Sequence, residues 1–332
     1  GDHWWITLPA SAFTAGEEYD FQYLVDGTIR VADPFAHKVR SPQDDGISDA
    51  VYPDLQPYPR DKTENLVSVL RPGAQAPTDT VQFEPPPRED LVIYELLVRD
   101  FVERSSYEVL ADTLGYLERL GVNAVEVMPV ANFGGNNSWG YNPNAHLALD
   151  KAYGTPAGFR EFVREAHRRD MAVLVDVVYN HVTDQSPLVQ LYGATPENPF
   201  LEVGPNRGIC GAFFRELNQG SPFIQNYIDR ANEYWVERFN VDGFRLDLAK
   251  CVADNGVNIN DAGHSDVVQA GWKDVADHVW DSVDADTYMI LEFFGTPAVE
   301  NELGGYRAQS TGGFLTWENL NRPYSQADMG YQ

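Results

Sequence analysis

Three segments carry the residue types that acid, base and nucleophile chemistry needs. They read Asp176-Val177-Val178-Tyr179-Asn180-His181, Gly243-Phe244-Arg245-Leu246-Asp247-Leu248-Ala249-Lys250, and Ile290-Leu291-Glu292-Phe293-Phe294-Gly295. Each sets a carboxylate in an apolar run of strand length. With a side-chain period of two, Arg245 and Asp247 project to one side, and Phe244, Leu246 and Leu248 to the other. A guanidinium beside a carboxylate keeps it ionised even where burial would raise its pKa, which makes Asp247 a candidate nucleophile. Glu292 is flanked by apolar residues that raise a carboxyl pKa, so it suits a general acid. Two carboxylates of unlike surroundings on adjacent strand ends match the pair that a retaining glycosidase holds about 5–5.5 Å apart. Taken singly, each segment has a plainer explanation: a structural ion pair, a lone acid at a strand exit, a satisfied loop histidine. Their occurrence together, in order on three strands, points to a site.

The elements that must position these residues alternate. Apolar runs at 91–98, 122–129, 171–178, 243–249 and 288–294 are strand-length, 314–321 is a candidate sixth, and helical periodicity fills the gaps. One helix carries Tyr107, Leu110, Leu114, Leu117 and Leu120 and stops at Gly121. Another opens at Ser221 as cap, with Pro222 in its first turn and Phe223, Ile224, Tyr227, Ile228, Ala231, Tyr234 and Trp235 on one broad face. Strands separated by helices imply a parallel sheet covered on its faces, either open or closed. Polar residues at the carboxyl ends of several strands favour the closed (β/α)8 TIM-type barrel. The stretch 182–220 shows no long helix and repeated prolines, so it reads as a long functional loop.

Ahead of these lies a different composition. Residues 19–25 alternate, Asp26-Gly27 signals a hairpin, and 28–32 is its second strand, which makes 1–70 a piece of a β-sandwich with too few strands for two sheets. Pro72, Gly73, Pro77 and Pro85-Pro86-Pro87 mark 71–90 as a linker. Residues 91–332 are then the catalytic unit.

The 332 residues suffice for a barrel-sized unit and a small module. A formal charge of −26 opposes binding to nucleic acid or an anionic membrane, and a neutral polymer suits it better. The 24 basic residues include only five lysines (Lys38, Lys62, Lys151, Lys250 and Lys273), an acidic, lysine-poor balance expected of a protein that works in high salt. Cys210 and Cys251 are the only cysteines and read as free thiols in a reducing compartment. No run of about 18 apolar residues and no signal peptide is evident, so a soluble, cytoplasmic protein is expected.

The three segments resemble the first three signature regions of the alpha-amylase superfamily of glycoside hydrolases, in the same order and on the same strands. The resemblance implies that Asp247 is the nucleophile, Glu292 the acid/base, Arg245 the orienting partner, and His181 a hydrogen-bonding residue for the sugar at the cleavage point; Asp176 and Lys250 join them in binding substrate. Trp139-Gly140-Tyr141-Asn142-Pro143 is similar to the segment whose tyrosine stacks under that sugar, which gives Tyr141 the role. Asn180 occupies a position that is a ligand in calcium-containing relatives; otherwise no cofactor is required. The words Tyr23-Leu24-Val25-Asp26-Gly27 and Ala32-Asp33-Pro34-Phe35-Ala36 look like the closing part of the immunoglobulin-like module that precedes the barrel in many relatives.

Departures are visible too. Cys251 replaces a histidine common after the lysine, and Leu97 stands where close relatives often carry histidine. The fourth signature region, with the third carboxylate on strand seven, does not occur; the expectation is a chain truncated at both ends, with about six barrel strands and no activity of its own. The partner implied is an α-glucan of the starch or glycogen kind. An alpha-amylase-type hydrolase is placed first, with α-1,6 debranching or 1,4-α-glucan branching as alternatives. Two further alternatives are an aldolase-like barrel using Lys250 as a Schiff base and a noncatalytic barrel that binds glucan or protein.

Overall fold

The computed structural model describes residues 6–73, 81–202, 214–249, 265–294, 297–308 and 312–317, with 265–269 as backbone only. The amino-terminal strands are β1 (Tyr19–Phe21), β2 (Tyr23–Val25), β3 (Ile29–Val31), β4 (Val39–Arg40) and β5 (Val67–Leu70). They form an antiparallel sheet of order β1-β5-β4 and a β2-β3 hairpin. Asp26 (φ 50°) and Gly27 (φ 69°) make the expected turn, both in the left-handed region, within a three-residue loop (26–28) closed by Thr28 N donating to Val25 O at 3.1 Å. The run 19–25 is two strands rather than one: at Gln22, whose Nε2 donates to Leu66 O at 2.8 Å, the chain leaves one sheet for the other. This unit packs on the rest of the chain through Ala32, Ala36, Val39 and Leu66 against Ala145 and Ala148. The buried Lys151 also reaches across, donating to Val39 O at 2.8 Å and pairing with Asp44 at 3.3 Å.

The strands that follow are β6 (Ile93–Leu96), β7 (Ala124–Val127), β8 (Ala131–Phe133), β9 (Pro143–Leu149), β10 (Ala172–Val177), β11 (His181–Val182), β12 (Arg215–Glu216), β13 (Gly243–Leu246), β14 (Tyr288–Leu291) and β15 (Phe314–Thr316). Six of them form one all-parallel sheet of order β15-β14-β13-β10-β7-β6, so spatial order follows chain order. The crossovers carry α1 (Val98–Phe101), α2 (Tyr107–Arg119), α3 (Pro156–His167), α4 (Pro187–Gln190), α5 (Pro222–Phe239), α6 (Ser265–Ser282) and α7 (Pro297–Gly305). The sheet is curled. Arg88, just ahead of the first strand, donates to Ala308 O (3.0 Å) and Gly312 O (3.1 Å), just ahead of the sixth, although β6 and β15 lie at opposite edges.

Local sequence accounts for the helix ends. Gly121 (φ 80°) follows α2 as expected, and Ser106 caps its start by accepting from Val109 N. Ser221 sits at the cap position of α5, yet its side chain makes no capping bond; Pro222, which has no N–H to satisfy, opens that helix. The β8-β9 hairpin was not legible as strands. The stretch 182–220 has only the single turn α4, a β11-β12 pair and a Leu201-Leu217 bridge among its described residues. No described helix is long and apolar enough to cross a membrane.

The period of two divides the sheet into two faces. Val125, Val127, Val173, Val175, Phe244, Leu246, Met289 and Leu291 join the large core beneath the helices. Ala124, Ala172, Leu174, Tyr288 and Ile290 form a second cluster on the concave side, with Ile93, Leu315 and Trp317 against it. Continued along each strand, the concave series runs through Glu95, Glu126, Asp176, Arg245, Asp247 and Glu292.

Candidate active site

These concave-face groups converge at the carboxyl ends of the strands, where a parallel barrel keeps its chemistry. β10 and β13 pair in a register that sets Asp176 opposite Arg245. Past the last ladder residues the strands stay joined, since Asp247 N donates to Val177 O (3.0 Å) and Glu292 N to Leu246 O (3.1 Å). Arg245, 5% exposed, is the hub. Its Nη1 lies 3.0 Å from Asp176 Oδ1 and 2.9 Å from Asp247 Oδ1, and its Nη2 lies 2.9 Å from Glu292 Oε1. Its guanidinium carbon lies 5.9 Å from the Tyr141 ring centroid and 5.7 Å from that of Trp317, within cation–π range of both.

Tyr141 reaches the cluster from the loop between β8 and β9, and its hydroxyl donates to Asp176 Oδ2 at 2.6 Å. That loop is held down at Gly140 (φ 96°), where a Cβ would lie 2.6 Å from both Cβ and O of Pro129; a side chain there would lift Tyr141 away. His181 Nε2 bonds to Tyr141 O at 2.8 Å, and its Nδ1 lies 3.1 Å from Asn180 Nδ2. Both ring nitrogens therefore have protein partners in a neutral imidazole that donates from Nε2 and accepts at Nδ1, and burial lowers the pKa of the ring. In this arrangement His181 braces the Tyr141 loop, and a bond to sugar would have to replace one of these two.

The electrostatics depart from expectation. Arg245 does not by itself keep Asp247 ionised: burial, with the charge of Asp176 adding to it, pushes the Asp247 carboxyl up to about 8 against the opposing pull of Arg245. Asp176 is raised to about 6, by burial above all. The physical reason is burial, which one cation shared among several acids does not offset. Glu292 accepts from Arg245 and also from Leu248 N at 2.9 Å, so it stands among donors rather than in the apolar pocket its neighbours suggested. Asp247 and Glu292 share one guanidinium.

Six expected residues, Tyr141, Asp176, His181, Arg245, Asp247 and Glu292, are thus gathered in one network. Lys250 lies outside the described residues, as do Cys210 and Cys251. Asn180 stands beside His181 with its Oδ1 buried and unpartnered. Sequence reasoning missed Glu126 and Trp317. Glu126 had a usable signal, an acid inside the apolar strand Ala124-Val125-Glu126-Val127; Trp317 had none.

A curled parallel α/β sheet with an arginine-bridged carboxylate pair at its carboxyl edge has the architecture of a barrel glycoside hydrolase. Residues 107–199 match the family model described as alpha amylase, catalytic domain. The malto-oligosyltrehalose trehalohydrolase of Saccharolobus solfataricus is 33% identical over 259 residues, 76% of this chain and 40% of that protein. The chloroplastic isoamylase 1 of Oryza sativa is 32% identical over 198 residues, 49% of this chain and 24% of that protein. A pullulanase from Anoxybacillus sp. LM18-11, solved with maltotetraose, superposes with a TM-score of 0.62 at 20% identity over 86% of this chain and 42% of that one. By its match to the family model and to these relatives, the chain is similar to proteins of the alpha-amylase superfamily. It spans less than half the length of these relatives.

Proposed function

We propose that the protein containing this chain is a retaining glycoside hydrolase of α-linked glucans, with Asp247 as nucleophile and Glu292 as acid/base. The observation that carries this is Arg245 spanning both carboxylates at 2.9 Å from adjacent parallel strands. A pair bridged by one guanidinium suits the close spacing of double displacement better than the wide, water-admitting gap of inversion. The reactive form has a proton on Glu292 and the charge on Asp247. Glu292 gives its proton to the glycosidic oxygen as Asp247 attacks the anomeric carbon; water, giving its proton to Glu292, then releases the sugar. Arg245 and Asp176 hold the pair in place, Tyr141 is the platform for the sugar ring, and Lys250 is assigned to substrate binding.

This chemistry needs no cofactor. The buried, unpartnered Oδ1 of Asn180 could serve a cation, but calcium takes six to eight oxygens. The one acidic group of metal-binding dimensions among the described residues is Glu95, Glu126 and Asp176, which does not include Asn180. One amide oxygen is a poor fit for calcium, and no step is assigned to it.

The finer reading is hydrolysis of malto-oligosyltrehalose, the compound in the name of the relative aligned over 76% of this chain. The likeness to isoamylase favours debranching as the second reading. Incubation of the full-length protein with malto-oligosyltrehalose, amylose, pullulan and glycogen, followed by sizing of products, tests both. Release of trehalose supports the first and selective trimming of branches the second; no hydrolysis of any of the four overturns the proposal.

A further inference from the structure

One fully buried acid is unused by this chemistry. Glu126 lies in β7, is 0% exposed, and neither of its carboxylate oxygens has a hydrogen-bond partner. Arg245 Nε is likewise buried and without a hydrogen bond, and it faces Glu126 Oε1 at 3.9 Å. Leaving both groups unpaired in the interior costs more than joining them, and a small change of side-chain torsion closes the gap. Glu95, Glu126 and Asp176 bring carboxylate oxygens within 4.8 Å of one another, an acidic set of the kind that holds a cation. The cation in reach is Arg245 itself.

We propose that Glu126 is a positioning residue, taking the Nε edge of Arg245 and so fixing the plane in which Nη1 meets Asp247 and Nη2 meets Glu292. The guanidinium is a rigid planar fork, so a hold on its third corner sets the other two. Burial raises the Glu126 carboxyl to about 8, with the charge of Asp176 adding and Arg245 opposing, and protonated or not it keeps an oxygen lone pair for the Nε–H. The inference rests on the reading of Asp247 and Glu292 as the reacting pair.

The test uses full-length Glu126→Leu, Glu126→Gln and Glu126→Asp, with kcat and KM measured on the substrate that the wild type turns over best. Leucine fills the space without an acceptor. A folded Glu126→Leu enzyme should lose about 10–100-fold in kcat at little-changed KM, the cost of a misplaced reacting group. Glutamine keeps an acceptor at the same reach and should recover most of that loss; aspartate, a methylene short, should not. Should the leucine variant fail to fold, the contrast between glutamine and aspartate decides. Wild-type kcat in a folded Glu126→Leu enzyme, or equal kcat values for glutamine and aspartate, overturns the role. A wild type that hydrolyses no α-glucan instead overturns the function it rests on.

Discussion

The backbone N–H of Leu248 donates to Glu292 Oε2 at 2.9 Å, and Leu248 adopts the left-handed region (φ 46°) to do so. A leucine held there is strained by about 1–3 kcal/mol and persists only where its surroundings demand it. Leu248 immediately follows Asp247, so the same turn that ends β13 aims one carboxylate into the site and clamps the other. Glu292 is thereby fixed on two sides, by this N–H and by Arg245 Nη2 at 2.9 Å.

Replacement of either reacting carboxylate with its amide should abolish turnover without unfolding the protein. Glu292→Gln removes proton donation, worth about 10²–10⁴-fold. Asp247→Asn removes the attacking group and should cost more. Steady-state rates and circular dichroism of the full-length variants check this; near wild-type activity in either one would show the roles to be misassigned.

Hydrolysis should proceed with retention, because a pair this closely bridged favours a covalent glycosyl-enzyme. Proton NMR of freshly formed product should show the α anomer before mutarotation. Initial β product would rule out double displacement.

The raised carboxyl of Asp247 makes stability depend on pH in a set direction. Between the ordinary aspartate range and about 8 the folded state binds more protons than the unfolded state, so stability is greatest at the acidic end and is lost as pH rises through about 8. Asp247→Asn mimics the protonated form and should melt at higher temperature than wild type at pH 8, with the difference shrinking towards pH 4. Melting curves of the full-length proteins at both values test this; a difference that is equal at the two, or reversed, contradicts it.

The formal charge of −26 predicts a melting temperature that rises from low to molar salt, as screening relieves self-repulsion. A melting temperature that falls over that range would remove the case for salt adaptation.

The parallel α/β architecture was legible in the sequence alone, because strand-length apolar runs alternating with helical periodicity admit few other arrangements. The sequence also located the acids and their arginine: Asp176, Asp247 and Glu292, with Arg245, lie where a period of two and a strand end put them, and those are properties of neighbours along the chain. What surrounds each carboxylate depends on strands far apart in sequence, and there local reading failed. Glu292 has apolar sequence neighbours but meets Arg245 and Leu248 N in space, while Asp247, beside an arginine in sequence, shares that arginine with Asp176 and Glu292. Ionisation follows total burial and the sum of nearby charge, which only the packed sheet supplies. The inward turn of Glu126 towards Arg245 Nε was invisible for the same reason: β7 and β13 are not neighbours in the sheet, and its curl carries the two side chains to the same concave face.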